Sequence, residues 1–87
     1  MAKSKYQPPK VVQEEHQEFF KEIGRKLKEI REARDVTITQ LSTHLKISRN
    51  NLPRLESGEI YFNTLTLLRV LDYFNIDPLQ FFRDLHK

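Results

Sequence analysis

The spacing of leucines between Thr37 and Gly58, TITQLSTHLKISRNNLPRLESG, constrains the fold of this chain more than any other feature. The leucines recur at helical spacing in two blocks, Leu41 with Leu45 and Leu52 with Leu55. Residues three or four positions apart share one face of a helix, so each block forms an apolar stripe. Ser48 lies between the blocks and favours the start of a helix. The segment predicts two short amphipathic helices packed across a turn.

A helix, a short turn and a second helix form the helix-turn-helix pattern, in which the second helix can lie in the major groove of DNA. Between Lys46 and Arg54 there are three cations and no acid, and the calculated pI is about 9.3. Clustered positive charge favours contact with phosphates. However, short helix pairs also occur in bundles that do not bind DNA, and a basic surface can simply be solvated.

The composition excludes several classes of protein. The 87 residues suffice for one small domain, and no apolar run approaches the roughly 18 residues that cross a bilayer. There is no cysteine, hence no disulfide and no thiolate metal ligand. His16, His44 and His86 are isolated, and the sequence has neither a carboxylate pair placed for acid–base chemistry nor a phosphate-cradling glycine loop. We expect no enzyme, no membrane protein, and no cofactor, metal or small-molecule ligand.

The N-terminal part divides into an arm and a long helix. Residues 1–10 contain three lysines, two adjacent prolines and no acid, which predicts a flexible basic arm that either aids solubility or follows a DNA groove. Residues 11–87 are the single helix-turn-helix domain, with the motif at 37–57. A helix is predicted from about Val12 to Ala33, and Gly24 weakens it and allows a bend. Its apolar stripe consists of Val12, Phe19, Ile23, Leu27 and Ile30, with Phe20 beside them.

Local signals define four further helices. Residues that cap helix N-termini are Thr37, Ser48, Asn63 and Asp77. The second helix runs to about Leu45, the third ends at Ser57 before Gly58, and Pro78 suits the first position of the fifth. The fourth helix buries some combination of Leu67, Leu68, Val70, Leu71 and Phe74. The expected fold is a compact all-α bundle of five helices.

Four segments, in this order, resemble the Cro/C1-type (XRE-like) helix-turn-helix family: IGRKLKEIREARDVT, LSTHLKIS, RLESG and LTLLRVLDYFNIDPLQFF. The similarity spans residues 23–82, about two thirds of the chain. It implies a lambda-repressor-like DNA-binding bundle, double-stranded DNA as the partner, a homodimer, and a cytoplasmic location in a bacterial or phage setting. Residues 11–18 precede the family's usual first helix and could frame a dimer contact.

The resemblance also implies roles for individual residues. The positions that match the family's base readers are Arg49, Asn50, Pro53 and Arg54. Arginine can donate two hydrogen bonds to guanine, asparagine can bond adenine twice, and proline can touch a thymine methyl. Phosphate contacts are expected at Thr37, Thr39, Lys46, Asn51 and Asn63. Arg31 and Glu56 match a structural pair that forms a partly buried ion pair in many relatives.

Three residues inside the motif depart from the family pattern. Ile38 replaces a glutamine that commonly contacts phosphate, and packing suits it better. Lys46 replaces the glycine of the turn, so it either adopts a positive φ at a cost of roughly 1 kcal/mol or reshapes the turn. Pro53 would cost about 3 kcal/mol in a helix interior. We therefore predict that the third helix starts late, near Asn50 or Asn51, or is distorted in its first turn.

These patterns favour a sequence-specific DNA-binding regulator, a repressor or controller whose third helix enters the major groove. The alternative is a protein-interaction module that keeps the five-helix scaffold but reads DNA weakly or not at all, as Ile38 and Pro53 allow. In that case the aromatic residues and the N-terminal extension would form the binding surface.

Overall fold

The computed structural model describes residues 10–85, which contain five α-helices. After a 3₁₀ turn at Glu14–His16, they are α1 (Gln17–Ala33), α2 (Ile38–Leu45), α3 (Asn51–Glu56), α4 (Thr64–Tyr73) and α5 (Pro78–Arg83). The predicted all-α, five-helix fold is confirmed. In this described part of the chain, no helix is long and apolar enough to traverse a membrane. The predicted arm lies outside the described residues except for Lys10.

One apolar face of each helix contributes to a common core. Its buried members are Ile23, Leu27, Leu41, Leu45, Leu52, Leu55, Ile60, Leu67, Val70, Leu71, Phe74, Phe81 and Leu85. Phe19 was expected in the stripe of α1, but it is 48% exposed and Phe20 packs against the core instead. Adjacent helical residues point about 100° apart, so only one of the two phenylalanines can follow the face set by Ile23 and Leu27.

The first helix begins at Gln17, so the prediction that it starts near Val12 is wrong. The backbone before the 3₁₀ turn is extended and pairs with the loop between α3 and α4. The Val12 N–H donates to the Glu59 carbonyl at 2.9 Å, and the Tyr61 N–H donates to the Lys10 carbonyl at 3.1 Å. Val12 is buried, with 3% exposure. Residues 10–12 therefore form a short antiparallel pairing with residues 59–61. Helical periodicity does not reveal such a long-range contact.

Three of the four predicted helix caps, Thr37, Asn63 and Asp77, lie where the residue types predict them. The Thr37 hydroxyl accepts from the Gln40 N–H at 3.0 Å while the Gln40 side chain accepts from the Thr37 N–H at 2.8 Å, a capping box. Asn63 caps α4, and Asp77 caps α5 directly before Pro78. Gly58 follows α3 with a φ of +80°. These local signals fix the bounds of α2, α4 and α5.

The third helix starts late, as Pro53 predicts. It begins at Asn51, which makes Pro53 its third residue. A proline in the first turn is tolerated because the first backbone N–H groups of a helix have no partner within it. Ser48 caps the preceding turn rather than α3, since its hydroxyl accepts from the Asn50 N–H at 3.1 Å.

Gly24 packs two helices closely together. The first helix runs through Gly24 without interruption. A Cβ at this position would lie 2.6 Å from the Leu55 carbonyl oxygen and closer still to that of Glu56. The absent side chain therefore lets α1 lie directly on the backbone of α3, and this contact fixes the register of α1 along α3.

Lys46 adopts the left-handed conformation, with a φ of +61°. We expect Lys46→Gly to raise the free energy of unfolding by about 0.5–1 kcal/mol, because glycine adopts positive φ without strain but is more flexible when unfolded. Urea denaturation followed by circular dichroism measures this. Asn75→Gly is the matched control, since Asn75 has a φ of +59° and asparagine tolerates this region better. A gain at Asn75 equal to or above that at Lys46 would contradict the argument.

Candidate nucleic-acid interface

Two of the predicted base readers lie on the exposed turn before α3. Arg49 and Asn50 are both exposed, and neither side chain has a hydrogen bond or ion pair within residues 10–85. Asn50 precedes α3 but has helical torsion angles, with φ −72° and ψ −25°. Its side chain therefore follows the helical spacing of the residues in α3. Asn50 and Arg54 are therefore one helical turn apart on the same side of α3.

Arg54 is held by Glu59, an acid that follows α3 and was not among the predicted site residues. Its Nε and Nη2 atoms lie 3.0 and 2.9 Å from Oε2 of Glu59. Both side chains are partly exposed, at 36% and 51%, so the ion pair is weak and exchanges with water. Arg54 would have to break its ion pair with Glu59 to donate to a base. Arg49 has no ion pair to break within residues 10–85.

The residues predicted to contact phosphate fall into two groups. Thr37 and Thr39 lie at the start of α2, and Lys46 is exposed at its end. Asn51 and Asn63 line one recess of about 310 Å³ between α3 and α4. The Asn63 side-chain oxygen already accepts from the N–H groups of Leu65 and Thr66, at 2.8 and 3.3 Å, which leaves only its amide N–H₂ for a ligand.

Arg31 and Glu56 join α1 to α3 through a two-point ion pair. Nε of Arg31 lies 2.7 Å from Oε2 of Glu56, and Nη2 lies 3.1 Å from Oε1. Nη1 donates to the Val36 carbonyl at 2.9 Å, which also ties the α1–α2 connection to the pair. Both side chains are buried, with 9% and 5% exposure. The pair therefore supports the scaffold behind α3 and is not available to a ligand.

Pro53, also predicted as a base reader, lines a cleft beside α1. Together with Ser57 and Ile38 it lines a cleft of about 570 Å³ whose opposite wall is α1. Ile38 packs against the core with part of its surface exposed, as its apolar side chain predicts. The structure thus places Arg49 and Asn50 directly before α3 and Arg54 within it, while Pro53 extends this surface towards α1.

Cations of α1 form the opposite wall of this cleft. They are Lys21, Arg25, Lys28 and Arg31. Arg25 donates to Glu22 and Glu29, one turn to either side, and these hydrogen bonds raise the pKa of its guanidinium. The spacing of these charges by three and four residues is visible in the sequence, but their position beside α3 depends on the packing of Gly24.

A short helix pair with an exposed turn, placed on a five-helix bundle, is the arrangement found in helix-turn-helix DNA-binding domains. Comparison of the sequence with known protein families and proteins supports the same class. A family model described as a helix-turn-helix domain matches residues 24–83. A Pyrococcus horikoshii protein named "Putative HTH-type transcriptional regulatory protein" is 36% identical over 73 residues, which cover 84% of this chain and 23% of that protein. The chain belongs to the XRE-like helix-turn-helix family of DNA-binding regulators.

Proposed function

We propose that this chain binds double-stranded DNA sequence-specifically and acts as a transcriptional repressor or controller. The observation that carries the proposal is the exposed pair Arg49 and Asn50 at the start of α3, with side chains free of partners within the described residues. Both residue types hydrogen-bond base edges in the major groove. The family supports a binding role rather than catalysis, and the chain would act in the cytoplasm with the DNA.

The proposed partners in this complex are the duplex and a second copy of the chain. The exposed side of α4 carries Leu65 and Leu68, which are 56% and 42% exposed, followed by Arg69 and Asp72. Neither Arg69 nor Asp72 has an ion pair elsewhere within residues 10–85. A two-fold axis here would set Arg69 of one copy near Asp72 of the other and cover the leucines, which is how a self-complementary interface forms.

Selection of fragments from random duplex DNA by the purified chain tests the proposal. We expect enrichment of a consensus with two-fold symmetry, because a symmetric dimer reads two related half-sites about one helical turn apart. A single unrepeated half-site would support DNA reading and contradict the dimer. No enrichment at moderate salt would contradict sequence-specific binding and favour a protein-interaction module.

Arg49→Ala should weaken binding to the selected duplex by about 1–3 kcal/mol, roughly 5- to 150-fold, if Arg49 contacts a base pair. Binding to an unrelated duplex should fall much less. Fluorescence anisotropy with both duplexes measures the two affinities. Arg83→Ala is the charge-matched control on α5. Equal losses on the selected and the unrelated duplex would show that Arg49 contacts phosphate only.

A further inference from the structure

The α1 wall of the cleft described above contains two lysines that no carboxylate neutralises. Within residues 10–85, Lys21 and Lys28 have no ion-pair partner within 4.0 Å, whereas Arg25 is held by Glu22 and Glu29. Both lysines are exposed and lie seven positions apart, two turns along one side of α1. They therefore present a short track of positive charge along the helix.

Close backbone contacts fix this track relative to α3. A Cβ on Gly58 would lie 2.7 Å from the Cα of Lys21, so Lys21 sits directly beside the end of α3. Gly24 makes the corresponding contact with Leu55 and Glu56 one turn further along α1. The lysine track is thus held rigidly against the same helix that carries the candidate base readers.

The side chains that line the cleft suit an anionic, partly apolar ligand. Both carboxylate oxygens of Glu56 accept hydrogen bonds from Arg31, and Glu32 lies 4.0 Å from the same guanidinium. Opposite α1 the cleft is lined by Ile38 and Pro53, neither of which offers a side-chain hydrogen-bond donor. A nucleic-acid backbone alternates charged phosphates with the apolar faces of sugars, which matches lysines on one wall and apolar side chains on the other.

We propose that this cleft binds the sugar–phosphate backbone of the duplex, with Lys21 and Lys28 each neutralising one phosphate. The inference rests on the proposed function and assigns α1 to the DNA-binding surface. Because Pro53 in α3 and Ser57 directly after it line the cleft, the strand that enters the cleft is continuous with the base pairs beside α3. Such contacts position the protein on DNA without reading sequence.

The test is the salt dependence of binding by Lys21→Gln/Lys28→Gln, measured by fluorescence anisotropy on the selected duplex and on an unrelated duplex of equal length. Each phosphate contact contributes about 0.9 to the slope of log K against log salt, so the slope should decrease by about 1.8 on both duplexes. The affinity deficit of the variant should consequently shrink about tenfold between about 50 and 200 mM salt. The preference for the selected duplex should not change.

Lys26→Gln is the matched control, because Lys26 lies on α1 but does not line the cleft. Its slope should equal that of the wild type, and circular dichroism should show that all variants fold. A double-variant slope equal to that of the wild type, or of Lys26→Gln, would overturn the inference. Equal wild-type affinity for both duplexes would overturn the proposed function alone, since the slopes on the unrelated duplex still test the cleft. Absence of any wild-type DNA binding would overturn both.

Discussion

Glu56→Ala is expected to reduce the free energy of unfolding by about 3–5 kcal/mol, because it leaves the Arg31 guanidinium buried without its partner. Arg31 has only 9% side-chain exposure and makes two hydrogen bonds to Glu56. Small domains have total stabilities of about 5–15 kcal/mol, so this loss is a large fraction of the whole. Urea denaturation followed by circular dichroism measures it through the shift in the midpoint.

The double variant Arg31→Met/Glu56→Leu separates an unpaired charge from simple loss of contacts. Replacing a buried ion pair with apolar residues of similar size is often neutral, so the double variant should be considerably more stable than Glu56→Ala. It would still lose the hydrogen bond from Arg31 to the Val36 carbonyl, worth about 1 kcal/mol. If Glu56→Ala is within about 1 kcal/mol of the wild type, water reaches the guanidinium and the pair is not buried in solution.

Gly24→Ala is expected to reduce the free energy of unfolding by about 3 kcal/mol, although alanine is the better helix former by about 1 kcal/mol. The new methyl group would meet the carbonyl oxygens of Leu55 and Glu56. These are backbone atoms of α3, which cannot move aside as a side chain can. The two helices would have to separate, and this movement would also increase the distances between the Arg31 guanidinium and the Glu56 carboxylate. Thermal unfolding followed by circular dichroism measures the effect.

The control for Gly24→Ala is Lys28→Ala, an exposed position one turn further along the same helix. Substitutions at such sites usually change stability by less than about 0.5 kcal/mol. A stabilised Gly24→Ala variant would mean that helix propensity outweighs the close contact and that α1 is free to shift on α3.

The fold was predictable wherever its determinants are local. Thr37, Asn63 and Asp77 cap helices because the capping oxygen and the amide it bonds are only a few residues apart. Pro53 likewise predicts the late start of α3 from its own covalent structure. The start of α1 was not predictable in this way, because residues 10–13 pair with Glu59 and Tyr61 far along the chain. The role of Gly24 depends on the same kind of distant contact.

The candidate site was predictable as a set of positions but not as an arrangement of charges. The spacing of Asn50 and Arg54 follows from helical geometry once α3 is placed. The ion pair between Arg54 and Glu59 depends on how the chain turns after Gly58, and the position of Lys21 and Lys28 beside α3 depends on helix packing. The predicted roles of the base and phosphate residues remain predictions.

The pairing of Val11 with Ile60 couples two segments that are distant in sequence. Gln13 donates its N–H to the Tyr61 hydroxyl at 3.1 Å, 48 positions away, and the neighbouring backbone bonds are few. Such a short pairing opens by local fluctuation at a lower free energy than global unfolding. Coupling between sites is reciprocal, so we expect a ligand that immobilises the loop after α3 to slow hydrogen exchange at the Val12 amide, which donates to Glu59 in that loop. Hydrogen exchange at the N-terminal segment would then report whether a ligand occupies that loop.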